Sequence, residues 1–123
     1  MKKIIVFFVS ICFSVNCYGI DLNSKTESQI RDDIRIEIFK RYKDSSSSVH
    51  VYLIDGNIKS YKEILNYLNN GPVGLIDNID ENTVKHSKKE LIKIIDLHYP
   101  IFNVMLYMYK SEMKSFKKLH EDK

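Results

Sequence analysis

The chain is 123 residues long and carries 19 Lys+Arg against 16 Asp+Glu, a formal charge of +3. That excess is far from the clustered basic footprint of a nucleic-acid binder, and the length accommodates one core of ordinary size, not two. With 2 Pro, 4 Gly and no Trp, the chain is neither low-complexity nor collagen-like.

Residues 1–19 have the layout of a secretory signal peptide. Lys2 and Lys3 form a positive start, Ile4 to Phe13 is an apolar run interrupted only by Ser10, and Ser14 to Gly19 turns small and polar. The run is shorter than the roughly 20 apolar residues that cross a bilayer. Cleavage after Gly19 puts Cys17 and Gly19 at the two small-residue positions and frees Ile20; cleavage after Cys17 is the neighbouring alternative, and Gly19 is favoured. Acylation of Cys17 as a lipoprotein is a further alternative, which Val15 and Asn16 fit poorly. Loss of residues 1–19 removes Lys2 and Lys3 and leaves 17 basic residues against 16 acidic. It also removes Cys12 and Cys17, so residues 20–123 form a near-neutral, thiol-free domain without disulfides, cysteine-ligated zinc or a thiol nucleophile. The expected location is exported, periplasmic or secreted, with no transmembrane span in the mature chain.

Ser24 and Glu27 have capping-box spacing, and Ile30, Ile34, Ile38 and Tyr42 recur every four residues, which predicts a helix over 25–43. The alternation Ile34, Ile36, Ile38 is a competing strand pattern; the pairs Glu27/Arg31 and Glu37/Arg41 favour helix. Asp44 to Ser48 is read as a flexible connection. Val49 to Ile54 is β-branched and aromatic and is read as a strand running into an Asp55-Gly56-Asn57 turn. Ser60 with Glu63 repeats the capping-box spacing and opens a short helix carrying Tyr61, Ile64, Leu65 and Leu68, ended by Asn69, Asn70, Gly71 and Pro72. Residues 72–86 are read as an ordered loop that could hold a second short strand. Ser87 with Glu90 opens a helix with Leu91, Ile94, Ile95 and His98 inward and Lys88, Lys89 and Lys93 outward, up to Pro100.

The last helix spans about 101–120. Phe102, Met105, Leu106, Tyr109, Met113 and Phe116 form one apolar stripe. Ile101, Val104, Tyr107 and Met108 make its first half apolar on the other sides too, which predicts burial at the centre of a bundle. The alternative is an exposed partner-binding patch of Val104, Tyr107 and Met108, since Tyr and Met are enriched at interfaces. The expected fold is mainly α with a small β element, an α+β domain of about four helices and one or two short strands.

Candidate chemistry is sparse. His50, His86, His98 and His120 show neither i,i+4 nor zinc-finger spacing. Asp77, Asp80 and Glu81 form an acidic cluster, but Ile79 and Asn82 stand where a calcium loop needs other residues. Asp55 follows the expected strand and is read as a turn former. A nucleophile elbow, a phosphate-cradling loop and a dinucleotide fingerprint are all lacking. No catalytic or metal-ligating residue and no cofactor is assigned.

The stretches Lys89-Glu90-Leu91-Ile92-Lys93-Ile94-Ile95-Asp96 and Leu106-Tyr107-Met108-Tyr109-Lys110-Ser111-Glu112-Met113 resemble the last two helices of periplasmic immunity proteins against type VI secretion amidase effectors. The resemblance lies in these two pieces and implies a small exported helical protein that binds a cell-wall amidase and blocks its active site, often as a dimer. The family's cysteine pair has no counterpart in residues 20–123, and no functional residue is carried over. The expected function is a non-enzymatic, exported protein-binding module, an inhibitor or immunity factor, whose partner is another protein and which could form a homodimer. A structural or envelope-associated protein without an enzymatic target is the alternative.

Overall fold

Residues 19–121 are described by the computed structural model. The expected leader, apart from Gly19, lies outside the described residues, as do Cys12 and Cys17. Leu22–Ser24 form a 3-10 turn in which Asp21 accepts from the Asn23 N–H at 3.0 Å and the Ser24 hydroxyl donates to the Asp21 carbonyl at 2.8 Å.

That engagement of Ser24 moves the start of the first helix. Helix α1, Glu27–Arg41, is capped by Thr26: its hydroxyl accepts from the Gln29 N–H at 3.1 Å, and Gln29 Oε1 accepts from the Thr26 N–H at 2.8 Å. The reciprocal pair satisfies two donors that a helix start otherwise leaves open. Ile30, Ile34 and Ile38 are buried, whereas Ile36 projects into solvent; the four-residue period prevails over the alternation.

The expected α+β class is overturned in helix α2, Ser47–Asn70. This single helix replaces the expected strand, turn and short helix and takes Ser47 and Ser48 from the expected connection, of which residues 44–46 remain; the described residues form an all-α bundle of four helices without a strand. Ser46 caps α2 by accepting from the Val49 N–H at 3.4 Å. Val49, Val51 and Tyr52 lie exposed on its first turns. From Ile54 onward the apolar positions, Ile54, Ile58, Tyr61, Ile64 and Leu68, follow a helical spacing and join the core or its margin. A lone strand would leave its N–H and C=O groups without a neighbour, whereas the helix pairs them internally. Gly71, at φ +81°, ends α2 with its N–H on the Tyr67 carbonyl at 2.9 Å, in keeping with the expected Asn-Asn-Gly-Pro stop.

Helix α3, Glu81–His98, starts six residues before the expected Ser87 cap. Asp80 accepts from the Thr83 N–H at 2.7 Å, and this backbone bond is the main cause of its carboxyl being held below the usual range. The expected loop over 72–86 therefore shortens, and no second strand forms in it. Leu91, Ile94 and Ile95 are buried and Lys88, Lys89 and Lys93 exposed. A cis Tyr99–Pro100 peptide links α3 to helix α4, Phe102–Glu121.

One core draws on all four helices. α2 packs against α1 and α4, and α4 packs against α3. Asn23 and Asn69 exchange amide hydrogen bonds at 3.1 and 3.2 Å, while His50 contacts the Tyr42 carbonyl at 2.6 Å, so α1 and α2 run antiparallel. Tyr61 meets Phe102 and Tyr67 meets Tyr109 edge-on or tilted, at centroid distances of 5.3 and 5.0 Å, so α2 and α4 run in the same sense. The Tyr99 hydroxyl donates to Asp33, which also lies 3.5 Å from Lys25 Nζ, tying the α3–α4 link to α1.

Candidate functional site

Helix α4 has an inner stripe of Phe102, Met105, Tyr109 and Met113, all fully buried. Ile101, Leu106 and Phe116 pack against the margin of the core beside this stripe, and the opposite side of the helix stays in solvent. Val104 is 41% exposed, Tyr107 75% and Met108 37%. The expected burial of this half-helix at the bundle centre is thus corrected: the core takes one face, and the three residues form an outward apolar patch.

The start of α4 is held in an unusual way. Ile101 precedes the helix and has no side-chain acceptor for the open N–H groups of the first turn. Asn57, from the middle of α2 and 2% exposed, supplies it: Asn57 Oδ1 accepts from the Asn103 N–H at 2.9 Å, and its Nδ2 donates to the Leu53 carbonyl at 2.8 Å. The Ser60 hydroxyl donates to Asn103 Oδ1 at 2.6 Å. Gly56 faces the Asn103 amide across this joint, where a Cβ at residue 56 would stand 3.4 Å from Asn103 Nδ2, at the near edge of ordinary contact. The residues read as a turn are therefore the α2 half of an inter-helix joint, and Ser60, read as a helix cap, sits mid-helix in the same joint.

Beside this joint, Tyr52, Asp55, Gly56, Lys59, Glu63 and Leu106 line a groove between α2 and α4. Lys110 Nζ stands 4.0 Å from Glu63. Asn103 and Tyr107 share a face of α4 at i,i+4, so the groove adjoins the outward patch. Tyr52 is 77% exposed and was missed as a candidate because its segment reads as strand. In helical register Tyr52, Gly56, Lys59 and Glu63 fall on one face of α2, which is the signal that identifies it.

The histidines are not brought together. His50 contacts the Tyr42 carbonyl and His120 Nδ1 the Phe116 carbonyl, at 2.6 and 2.9 Å. His86 Nε2 lies 2.9 Å from Glu112, its ring stacked on Phe116. Among the described residues no group of three or more His, Cys, Asp or Glu is placed to hold a metal ion, and no helix is long and apolar enough to cross a membrane. Asp55 lies inside α2, not after a strand. Gly19 and Ile20, the expected cleavage pair, lie against α3, where the Ile20 N–H donates to Asp96 Oδ1 at 3.0 Å.

No protein-family model matches the chain, and no curated protein or solved structure matches it.

Proposed function

We propose that this chain is an exported protein-binding module that acts by covering the surface of a partner protein, in the manner of an inhibitor or immunity factor. The observation that carries the reading is the outward patch Val104, Tyr107 and Met108 on a helix already seated by a separate stripe. Because the fold does not require these side chains inside, their water-exposed area is available to a partner. Tyr and Met suit such a role: tyrosine offers a large rigid face with a polar tip, and methionine adapts to an irregular surface. Tyr52 and the groove next to it extend the same side of the molecule.

The test is protection. Cells exporting a cell-wall amidase effector are grown with and without the full chain carrying its leader, alongside Tyr107→Asp. Protection by the wild-type chain and loss of protection in Tyr107→Asp, at unchanged thermal stability, support the reading. Equal lysis with and without the chain removes the amidase-immunity form of it, and equal protection by both chains removes the patch.

A further inference from the structure

We infer that Asp96 is the receptor for the α-ammonium group of Ile20, so that the processed chain is fastened to α3 by an ion pair at its own first residue. This rests on the export reading above, with cleavage after Gly19.

The site already holds the nitrogen in place. The Ile20 N–H points at Asp96 Oδ1 from 3.0 Å, and the Ile20 side chain rests against the core. On its far side Leu22 is 1% exposed, Asp21 closes the 3-10 turn, and Asn23 is clasped to Asn69 on α2. On its near side Gly19 adopts φ +82°, and a Cβ there would stand 2.1 Å from Asp96 Oδ1 and 2.6 Å from its Cγ. Only glycine permits the carboxylate to close on the chain at that point. A groove beside Gly19 and Ile20, separate from the α2–α4 groove, has as its charged groups Asp21 and Lys25 from the segment itself and Lys88 from α3; α2 contributes the uncharged Leu68 and Asn69. Among the described residues no lysine or arginine is paired with Asp96.

Hydrolysis of the Gly19–Ile20 bond consumes one water. The carbonyl carbon of Gly19 gains its oxygen and leaves as a carboxylate, and the nitrogen of Ile20 takes up protons to become an ammonium. One amide donor is thereby replaced by three donors and a unit positive charge facing a carboxylate. The opposite charge raises the pKa of the α-amine above its free range of about 7.7–8.0. A raised folded value means that the stabilisation is fully present below that range and is lost as pH rises through the folded value.

The full chain is expressed with its leader, purified from the periplasm, and its first residue read by intact mass. Thermal melts then compare the wild type with Asp96→Asn at pH 6 and pH 10. The expected result is an Ile20 start, with Asp96→Asn melting roughly 2–6 °C lower at pH 6, as an exposed ion pair supports, and coinciding with the wild type at pH 10. Asparagine still offers an acceptor to an amide N–H, so a difference that is equal at both pH values, or none, overturns the ion pair while leaving export intact. Gly19→Ala completes the test, because a chain cut after residue 19 is then identical to the wild type in mass and melting. A purified chain retaining the extra methyl group overturns the ion pair and the Gly19 cleavage together, and a chain retaining its leader overturns the export reading as well.

Discussion

Replacing Asn57 by alanine removes the acceptor for the Asn103 N–H and the donor to the Leu53 carbonyl in one step. Losing a side-chain cap costs about 1 kcal/mol. At a position 2% exposed water does not readily replace the amide, which adds about 1 kcal/mol more for the stranded N–H. The expected loss is therefore about 2 kcal/mol, or roughly 8–16 °C in melting temperature for a domain of this size. Urea unfolding monitored by circular dichroism measures it, with an unchanged m-value showing that the native state stays equally compact. Amide hydrogen exchange adds the local readout: protection of the Asn103 N–H falls in the variant beyond what the global loss explains. A change under 0.5 kcal/mol, or unaltered Asn103 protection, refutes the view that α2 caps α4.

Two further outcomes follow from the same core. Gly56→Ala is expected to stabilise by about 0.5–1 kcal/mol, since its Cβ would meet Asn103 at the near edge of ordinary contact and alanine favours a helix interior over glycine; Gly56→Val, which crowds Asn103, is expected to destabilise, and urea melts rank the three. Burial is the main cause that raises the pKa values of Tyr61, Tyr67, Tyr99 and Tyr109, and Asp33 adds to the rise at Tyr99. These phenols keep their protons in the fold at a pH where the unfolded chain ionises, so their contribution is full below about pH 10 and is lost as pH rises beyond it. Stability measured from pH 8 to 11 should fall at the alkaline end, and less steeply in Tyr99→Phe; a flat profile would falsify the assignment.

The helices whose inner faces are continuous were legible. Ile30, Ile34 and Ile38 mark α1, and Phe102 to Met113 mark α4, because in both the apolar period runs unbroken. The stretch from Val49 to Asn57 misleads because its local preferences point to strand and turn, while the helix there is set by the Ser46 cap at its start and by the helically spaced apolar positions from Ile54 onward that join the core. A capping-box spacing also arises in helix interiors: Ser60 bonds Asn103, and Ser87 bonds the Tyr109 hydroxyl. Serine three residues before glutamate has a local meaning only where no distant partner claims the hydroxyl. The patch on α4 was legible as composition, but whether Tyr107 faces inward or outward depends on how much apolar surface the other three helices present, which the period of one helix does not contain.

The Asn57–Asn103 joint also orders events in time. Synthesis from the amino end delivers Asn57 46 residues ahead of Asn103. The acceptor arrives before the donor that needs it, already carried on a helix with its own Ser46 cap. The last helix can therefore complete its first turn against a waiting template as it emerges, and its seating reports that the earlier half of the protein has formed.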